Sequence, residues 1–279
     1  RSFMEAGVDV LETCTFRANR LTLGEYGLGS RVLEINRAAA VLARKVADEF
    51  TAATGQPRFV AGSIGPSGKL PSMNDPELSN ITFQELSDIF AEQAQGLIEG
   101  GVDLLLIETS QDILEVKAAI DGLQQAFQRT QTRLPIQAQV TLDTTGRMLL
   151  GTDITAVLAI LEGLPIDVIG LNCSTGPDYM REPIRALGEL SPLPISCIPN
   201  AGLPLNVDGQ AVYPLLPEPF AEEMAEFVRK YRVSVVGGCC GTTPDHMRLL
   251  VEKLRGQPAP AVSAPPVPRL ASAIQAQPM

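Results

Sequence analysis

Short, continuously apolar runs alternate along almost the whole chain with longer stretches in which apolar residues return every three or four positions. The short runs predict strands at Val8–Thr13, Phe59–Ile64, Asp103–Glu108, Pro135–Leu142, Asp167–Cys173, Pro194–Pro199 and Ser234–Cys240. The amphipathic stretches predict helices, among them Val32–Phe50, Thr82–Glu99, Asp112–Phe127, Thr152–Glu162, Pro217–Tyr231 and Pro244–Leu254. Asn80 or Thr82 supplies the start signal for one of these, and Pro244 suits the first position of another. Strands that are apolar on both faces, each followed by a helix, imply a parallel sheet covered on both sides. Seven strand–helix units are visible, whereas a closed (β/α)8 TIM barrel needs eight. The chain opens at Arg1, inside a helical pattern (Arg1–Ala6). The expectation is therefore an α/β barrel over residues 1–255 whose first strand–helix unit is missing from the fragment. An open doubly wound sheet is the alternative, but no GxGxxG follows any predicted strand.

The segment at 256–268, GQPAPAVSAPPVP, changes character. It is rich in Pro and Ala and nearly uncharged. Residues 256–279 thus read as a linker toward a following domain.

Charge narrows the partners. Against 22 Lys and Arg stand 32 Asp and Glu, a net charge of −10. An acidic balance argues against nucleic acid and against anionic membrane surfaces. No apolar run approaches the ~20 residues that span a bilayer, and the first residues lack a signal-peptide core. The 5 cysteines do not suggest a disulfide framework. A reducing, cytoplasmic setting is expected.

In a parallel barrel the carboxyl ends of the strands meet on one face, where active sites sit. The predicted ends carry Glu12–Thr15, Gly65–Lys69 (GPSGK), Glu108–Thr109, Asp143, Asn172–Cys173, Asn200 and Cys239–Cys240. GPSGK lacks the spacing of a phosphate loop and reads as a rim turn with a solvated Lys69.

The adjacent pair in GGCCGTTP (237–244) needs an explanation. A disulfide between neighbours has poor bridge geometry. A metal site and simple packing are the other readings. Cys173 and the pair end alternate strands of the expected barrel, so the three thiols can converge. Neighbouring residues on a regular strand point to opposite faces. Both cysteines therefore reach one ion only if the backbone turns, and Gly237, Gly238 and Gly241 supply that freedom. Cys197 is a poor fourth ligand, lying down its strand with the wrong parity. Asn200, at the rim, can fill a fourth position weakly through its amide oxygen. Three thiolates and an open position form a catalytic zinc pattern. Spacing alone leaves buried packing cysteines and a structural zinc site open. His246 falls inside the last helix, where it caps a carbonyl or faces solvent. Zinc carrying three thiolates is a weak Lewis acid but a good host for another thiol, which loses its proton there. Such a site favours alkyl transfer to a substrate sulfur.

GLNCSTGP (170–177), PNAGLP (199–204) and VGGCCGTTPDH (236–246) resemble, in order and spacing, the zinc motifs of the homocysteine S-methyltransferase family. ETCTFRANR (12–20), VAGSIGPSGK (60–69), NITF (80–83) and LLIETSQD (105–112) resemble its other segments. The resemblance implies Zn²⁺ on Cys173, Cys239 and Cys240, with the thiolate of L-homocysteine as the incoming ligand and Asn200 as the group that vacates the site. It implies Glu108 as the carboxylate for the substrate ammonium, and Thr13, Thr15 and Phe16 as lining of the amino-acid pocket, partly through backbone amides.

PNAGLP and the Pro-rich tail are most similar to the cobalamin-dependent members. Those use methylcobalamin, regenerated from 5-methyltetrahydrofolate, and carry folate- and cobalamin-binding domains on the same polypeptide. Members that use betaine or S-methylmethionine, and members fused to methylenetetrahydrofolate reductase, share the zinc chemistry. A zinc-stapled interaction domain is the non-enzymatic alternative. The family's Asp-Gly-Ala-Met-Gly strand is absent here, and Cys14 stands where the family usually has Asn.

Overall fold

The computed structural model describes residues 1–261 and 267–278. In chain order the elements are α1 (Ser2–Glu5), β1 (Val10–Glu12), α2 (Arg20–Gly24), α3 (Val32–Thr54), β2 (Phe59–Ile64), α4 (Phe83–Glu99), β3 (Leu104–Ser110), α5 (Ile113–Thr130), β4 (Ile136–Val140) and α6 (Ile154–Leu161). There follow β5 (Val168–Asn172), α7 (Pro177–Leu190), β6 (Ile195–Ile198), β7 (Leu205–Val207), β8 (Gln210–Val212), α8 (Pro217–Tyr231), β9 (Val233–Val236), α9 (Pro244–Leu254), β10 (Arg269–Ala271) and β11 (Ala276–Pro278). Every one of the seven predicted strands is present, and β2, α8 and α9 have the predicted bounds. The residues form two compact units, 9–138 and 1–8 with 139–279, and β4 lies across the division.

In the unit 9–138 the sheet order is β1-β2-β3-β4. Glu12 pairs with Ala61 and Ser63 with Leu106, in parallel. Alternation along the strands then puts Glu12, Ser63 and Glu108 on one face. Thr82 rather than Asn80 starts α4: its hydroxyl takes the Glu85 N–H while the Glu85 carboxylate takes the Thr82 N–H. Asp112 caps α5 through the Leu114 N–H. The two helices lie so close that a Cβ on Gly122 would sit 2.4 Å from the Ser87 carbonyl. Leu86, Phe90 and Leu97 of α4 and Leu105, Leu106 and Ile107 of β3 are buried in the core of this unit.

The other unit has the order β4-β5-β6-β9. β5 pairs with β6 and β6 with β9 in parallel, the latter with a register shift at Ile195/Ser196. Between β6 and α8 the chain makes an exposed antiparallel hairpin, β7–β8. Its turn residues Asp208 and Gly209 hold φ of 52° and 80°, as a two-residue hairpin turn requires.

The tail departs from a simple linker. Residues 269–278 form a second hairpin packed on α6. The Arg269 guanidinium, only 4% exposed, grips both Glu162 carboxylate oxygens at 2.8 and 2.7 Å. Part of the Pro/Ala-rich stretch, 262–266, lies outside the described residues.

Candidate metal centre

Three strand ends build the thiol site within the unit 139–279. β5 stops at Asn172, and Cys173 and Ser174 then adopt left-handed φ of 61° and 63°. Two successive non-glycine residues in that region mark a strained turn. It is held by Cys173 N–H donating to Ile198 O and Thr175 N–H donating to Cys173 O.

The cysteine pair lies beyond β9, not on it. The parity problem therefore dissolves, because Cys239 and Cys240 sit in a turn. Cys239 N–H donates to Pro199 O at 2.8 Å, and the Thr242 amide and hydroxyl both donate to Cys239 O. Of the glycines invoked for that turn, Gly241 alone holds a positive φ, 77°; Gly237 and Gly238 are not needed for φ.

Cys173 and Cys240 Sγ are 3.9 Å apart, as are Cys239 and Cys240 Sγ. All three sulfurs lie within 4.8 Å of one another. A tetrahedral zinc site with ~2.3 Å Zn–S bonds has S···S edges of ~3.8 Å, so the donor set fits that ion. Cys197 stands apart from the cluster. It is fully buried, its thiol pushed up by burial, and it donates to Met180 Sδ at 3.8 Å.

The cluster shares protons unevenly. A hydrogen bond from Cys239, followed by bonds from the Ser174 N–H, Cys240 and Asn200, brings the Cys173 thiol down to about 6 against the effect of burial. Cys239 moves up, chiefly because it is the donor in that bond. Cys240 is also raised, first by burial and then by the charge on Cys173, with relief from a bond to Tyr213. Asn200, 3% exposed, directs its carboxamide oxygen to the Cys240 N–H at 3.1 Å and its amide to Cys173.

His246 does not face solvent. It is 5% exposed at the start of α9. Its Nδ1 accepts the Thr243 N–H at 3.1 Å and its Nε2 donates to Leu215 O at 3.0 Å, while its ring meets Phe220 edge-on. Helix position alone did not reveal that the β7–β8 insertion returns over α9 to supply the carbonyl.

The remaining candidate residues belong to the unit 9–138. Glu108, 7% exposed at the end of β3, accepts the Ser63 hydroxyl at 2.5 Å, and Thr109 beside it holds φ of 57°. Glu12 escaped assignment from sequence. It shares a face with Glu108, and crowding by protein followed by the Glu108 charge pushes its carboxyl up. The signal available in sequence was an acid at a strand end, in LETCTF. Thr13 and Thr15 are buried with their hydroxyls committed: the two share a 2.6 Å contact, Thr13 Oγ1 accepts the Ser63 N–H, and Thr15 donates to Ser63 O. Phe16 is 39% exposed, and Cys14 is exposed.

The Ser67 amide and hydroxyl both bind the Glu115 carboxylate, so an acid already fills the place a phosphate would take. Lys69 is half-buried, and its ammonium donates to Glu77 O at 2.8 Å in an exposed hydrogen bond.

A parallel α/β frame thus carries three sulfurs close enough together to hold a metal ion. The model of the homocysteine S-methyltransferase family matches residues 1–254, and the chain belongs to that family. It is 44% identical over 248 residues to the methionine synthases of Mycobacterium leprae (strain TN) and Mycobacterium tuberculosis (strain ATCC 25618 / H37Rv). The match takes in 89% of this chain but 20% of each relative, so the chain spans a fifth of their length. Among solved structures, the metallated homocysteine methyltransferase MmuM from Escherichia coli superposes with a TM-score of 0.73 at 21% identity, over 90% of this chain and 82% of that one. That likeness is one of fold.

Proposed function

We propose that this chain is the homocysteine-activating part of a cobalamin-dependent methionine synthase. The reaction moves a methyl group from methylcobalamin, regenerated from 5-methyltetrahydrofolate, to the thiol of L-homocysteine, giving methionine. The observation that carries this reading is the S···S spacing of 3.9 Å between Cys240 and each of Cys173 and Cys239. The identity with two methionine synthases supports the choice of donor. On this reading residues 1–255 belong to a (β/α)8 barrel and 256–279 lead toward folate- and cobalamin-binding domains of the same cytoplasmic polypeptide.

Cys173, Cys239 and Cys240 would hold zinc, which supplies a Lewis acid able to keep a further thiol deprotonated near neutral pH. The protein contributes the rest. The amide of Asn200, directed at Cys173, is placed to steady a thiolate there. For Asn200 to serve as the group that an incoming sulfur displaces, its carboxamide has to release the Cys240 N–H. Glu108, oriented by Ser63, offers a carboxylate to the substrate ammonium, with Thr13, Thr15 and Phe16 around the amino-acid end.

The Cys239→Ser variant tests the reading. Removing a ligand costs more than the 10–100-fold typical of an outer-shell change. Zinc content is expected to fall to trace levels and methyl transfer from methylcobalamin by more than about 100-fold. A variant that keeps both its zinc and its transfer rate would overturn the assignment.

A further inference from the structure

We propose that Gln93, buried on α4, is a positioning residue: its carboxamide pins the 13–18 loop against the end of β2 and so sets the spacing between that loop and the Glu108 carboxylate, on which recognition of an α-amino acid depends. The inference rests on the function proposed above and names what holds the amino-acid end of that site in shape.

Gln93 interrupts an apolar stripe. Residues three and four apart share a helix face, and Leu86, Phe90 and Leu97 lie on the same face of α4 as Gln93, all fully buried. A carboxamide among them costs free energy unless it is bonded. Its Nε2 donates to Thr15 O at 2.8 Å and approaches Ser63 O at 3.5 Å. One helix side chain thus ties the loop to the strand. A second amide grips the loop from α3: Asn36, also buried, donates to Ala18 O at 2.8 Å and to Val32 O at 2.9 Å. The two helices are close enough to act jointly, since a Cβ on Gly96 would fall 2.8 Å from Leu33 O.

The loop lies directly on the end of β2. Gly65 N–H donates to Phe16 O, and a Cβ on Gly65 would sit 2.4 Å from that oxygen and 2.6 Å from the Phe16 ring. Ser63 carries the position on to the carboxylate. Its N–H donates to Thr13 Oγ1 at 3.0 Å, its carbonyl accepts the Thr15 hydroxyl at 2.7 Å, and its own hydroxyl donates to Glu108 Oε1 at 2.5 Å. The loop and the acid are therefore both built off one residue of β2, and Gln93 ties that arrangement to α4. Groups that must meet an ammonium and its neighbouring carboxylate at once need a fixed separation. Thr15 O keeps a second donor, the Ala18 N–H at 2.9 Å, and Ser63 O keeps the Thr15 hydroxyl. Losing the Gln93 amide thus loosens the loop without orphaning either carbonyl.

The test compares wild type with Gln93→Met, which keeps the length of the side chain and removes the donor. Calorimetry on the zinc-loaded chains measures binding of L-homocysteine and of propane-1-thiol, which carries a sulfur without the amino-acid groups. Loss of the tie predicts about tenfold weaker binding of L-homocysteine, with propane-1-thiol unchanged. Hydrogen exchange on the metal-free chains is expected to run about tenfold faster at the Gly65 amide, whose acceptor belongs to the loop. Equal affinities for L-homocysteine in the two proteins, or equal losses for both thiols, would overturn the role given to Gln93. If the wild-type chain binds no homocysteine but exchange at Gly65 still accelerates in the variant, Gln93 holds the loop and the proposed function fails. If Gln93→Met does not fold, Gln93→Asn, which stops the amide one methylene short of Thr15 O, supplies the same comparison.

Discussion

At the scale of single residues, Cys173 shows how much of a site lies in backbone conformation that a sequence hides. Cys173 and Ser174 together hold left-handed φ, a cost of about 1–3 kcal/mol each for non-glycine residues, and that turn brings the sulfur to its partners. The cysteines were legible as a candidate cluster, because Cys173 and the glycine-flanked pair fall at the ends of predicted strands. Glu12 was not, since its significance depends on Glu108, a carboxylate from another strand.

Glu115 yields a prediction at this scale. Burial pushes its carboxyl up to about 7, opposed by the two bonds from Ser67, with Asp112 adding to the rise and Arg17 reducing it. One of its oxygens is buried without a partner. A carboxyl whose folded value is raised binds more protons in the native state between the unfolded value and the folded one. Its contribution to stability is therefore fully present below about pH 4.5 and is lost as pH rises toward about 7. Glu115→Gln keeps the shape without the charge. Its unfolding free energy relative to wild type is expected to climb between about pH 5 and pH 8, by at most about 3 kcal/mol. Urea melts at several pH values measure this, and a difference that stays flat or falls with pH would refute it.

At the scale of elements, most of the fold was legible because both periodicities are clean. Apolar runs gave the strands, and start signals at Asn80 or Thr82 and at Pro244 marked two of the helices. The β7–β8 hairpin was missed although Asp208-Gly209 is a turn signal. Its strands have three residues each and are exposed throughout, so no buried face announces them. The strand end at Cys240 was overrun for the opposite reason: Gly237 to Cys240 continue an apolar run after the pairing has ended. The docked tail hairpin was hidden as well, because it depends on Arg269 finding Glu162 far away in sequence.

Close packing of α4 on α5 gives the prediction that belongs here. A Cβ at Gly122 would lie 2.4 Å from Ser87 O and 2.9 Å from Ala91 N, both backbone atoms that cannot step aside. Gly122→Ala is expected to lower stability by about 1–3 kcal/mol despite alanine's better helix propensity. Thermal melting decides it, and an unchanged or raised midpoint would show that the helices separate freely.

At the scale of the whole molecule, family membership and the thiol cluster agree on sulfur chemistry, while the chain covers 20% of its curated relatives. Among the described residues no helix is long and apolar enough to cross a membrane. The net charge of −10 argues against a polyanionic partner. What separates a substrate-binding centre from a structural staple is whether the three-sulfur set accepts a fourth sulfur. Zinc-edge X-ray absorption on the purified chain, without and with L-homocysteine, measures that directly. A shell of three sulfurs and one lighter atom that becomes four sulfurs on adding homocysteine is the expected result. A zinc shell that homocysteine leaves unchanged would contradict the account.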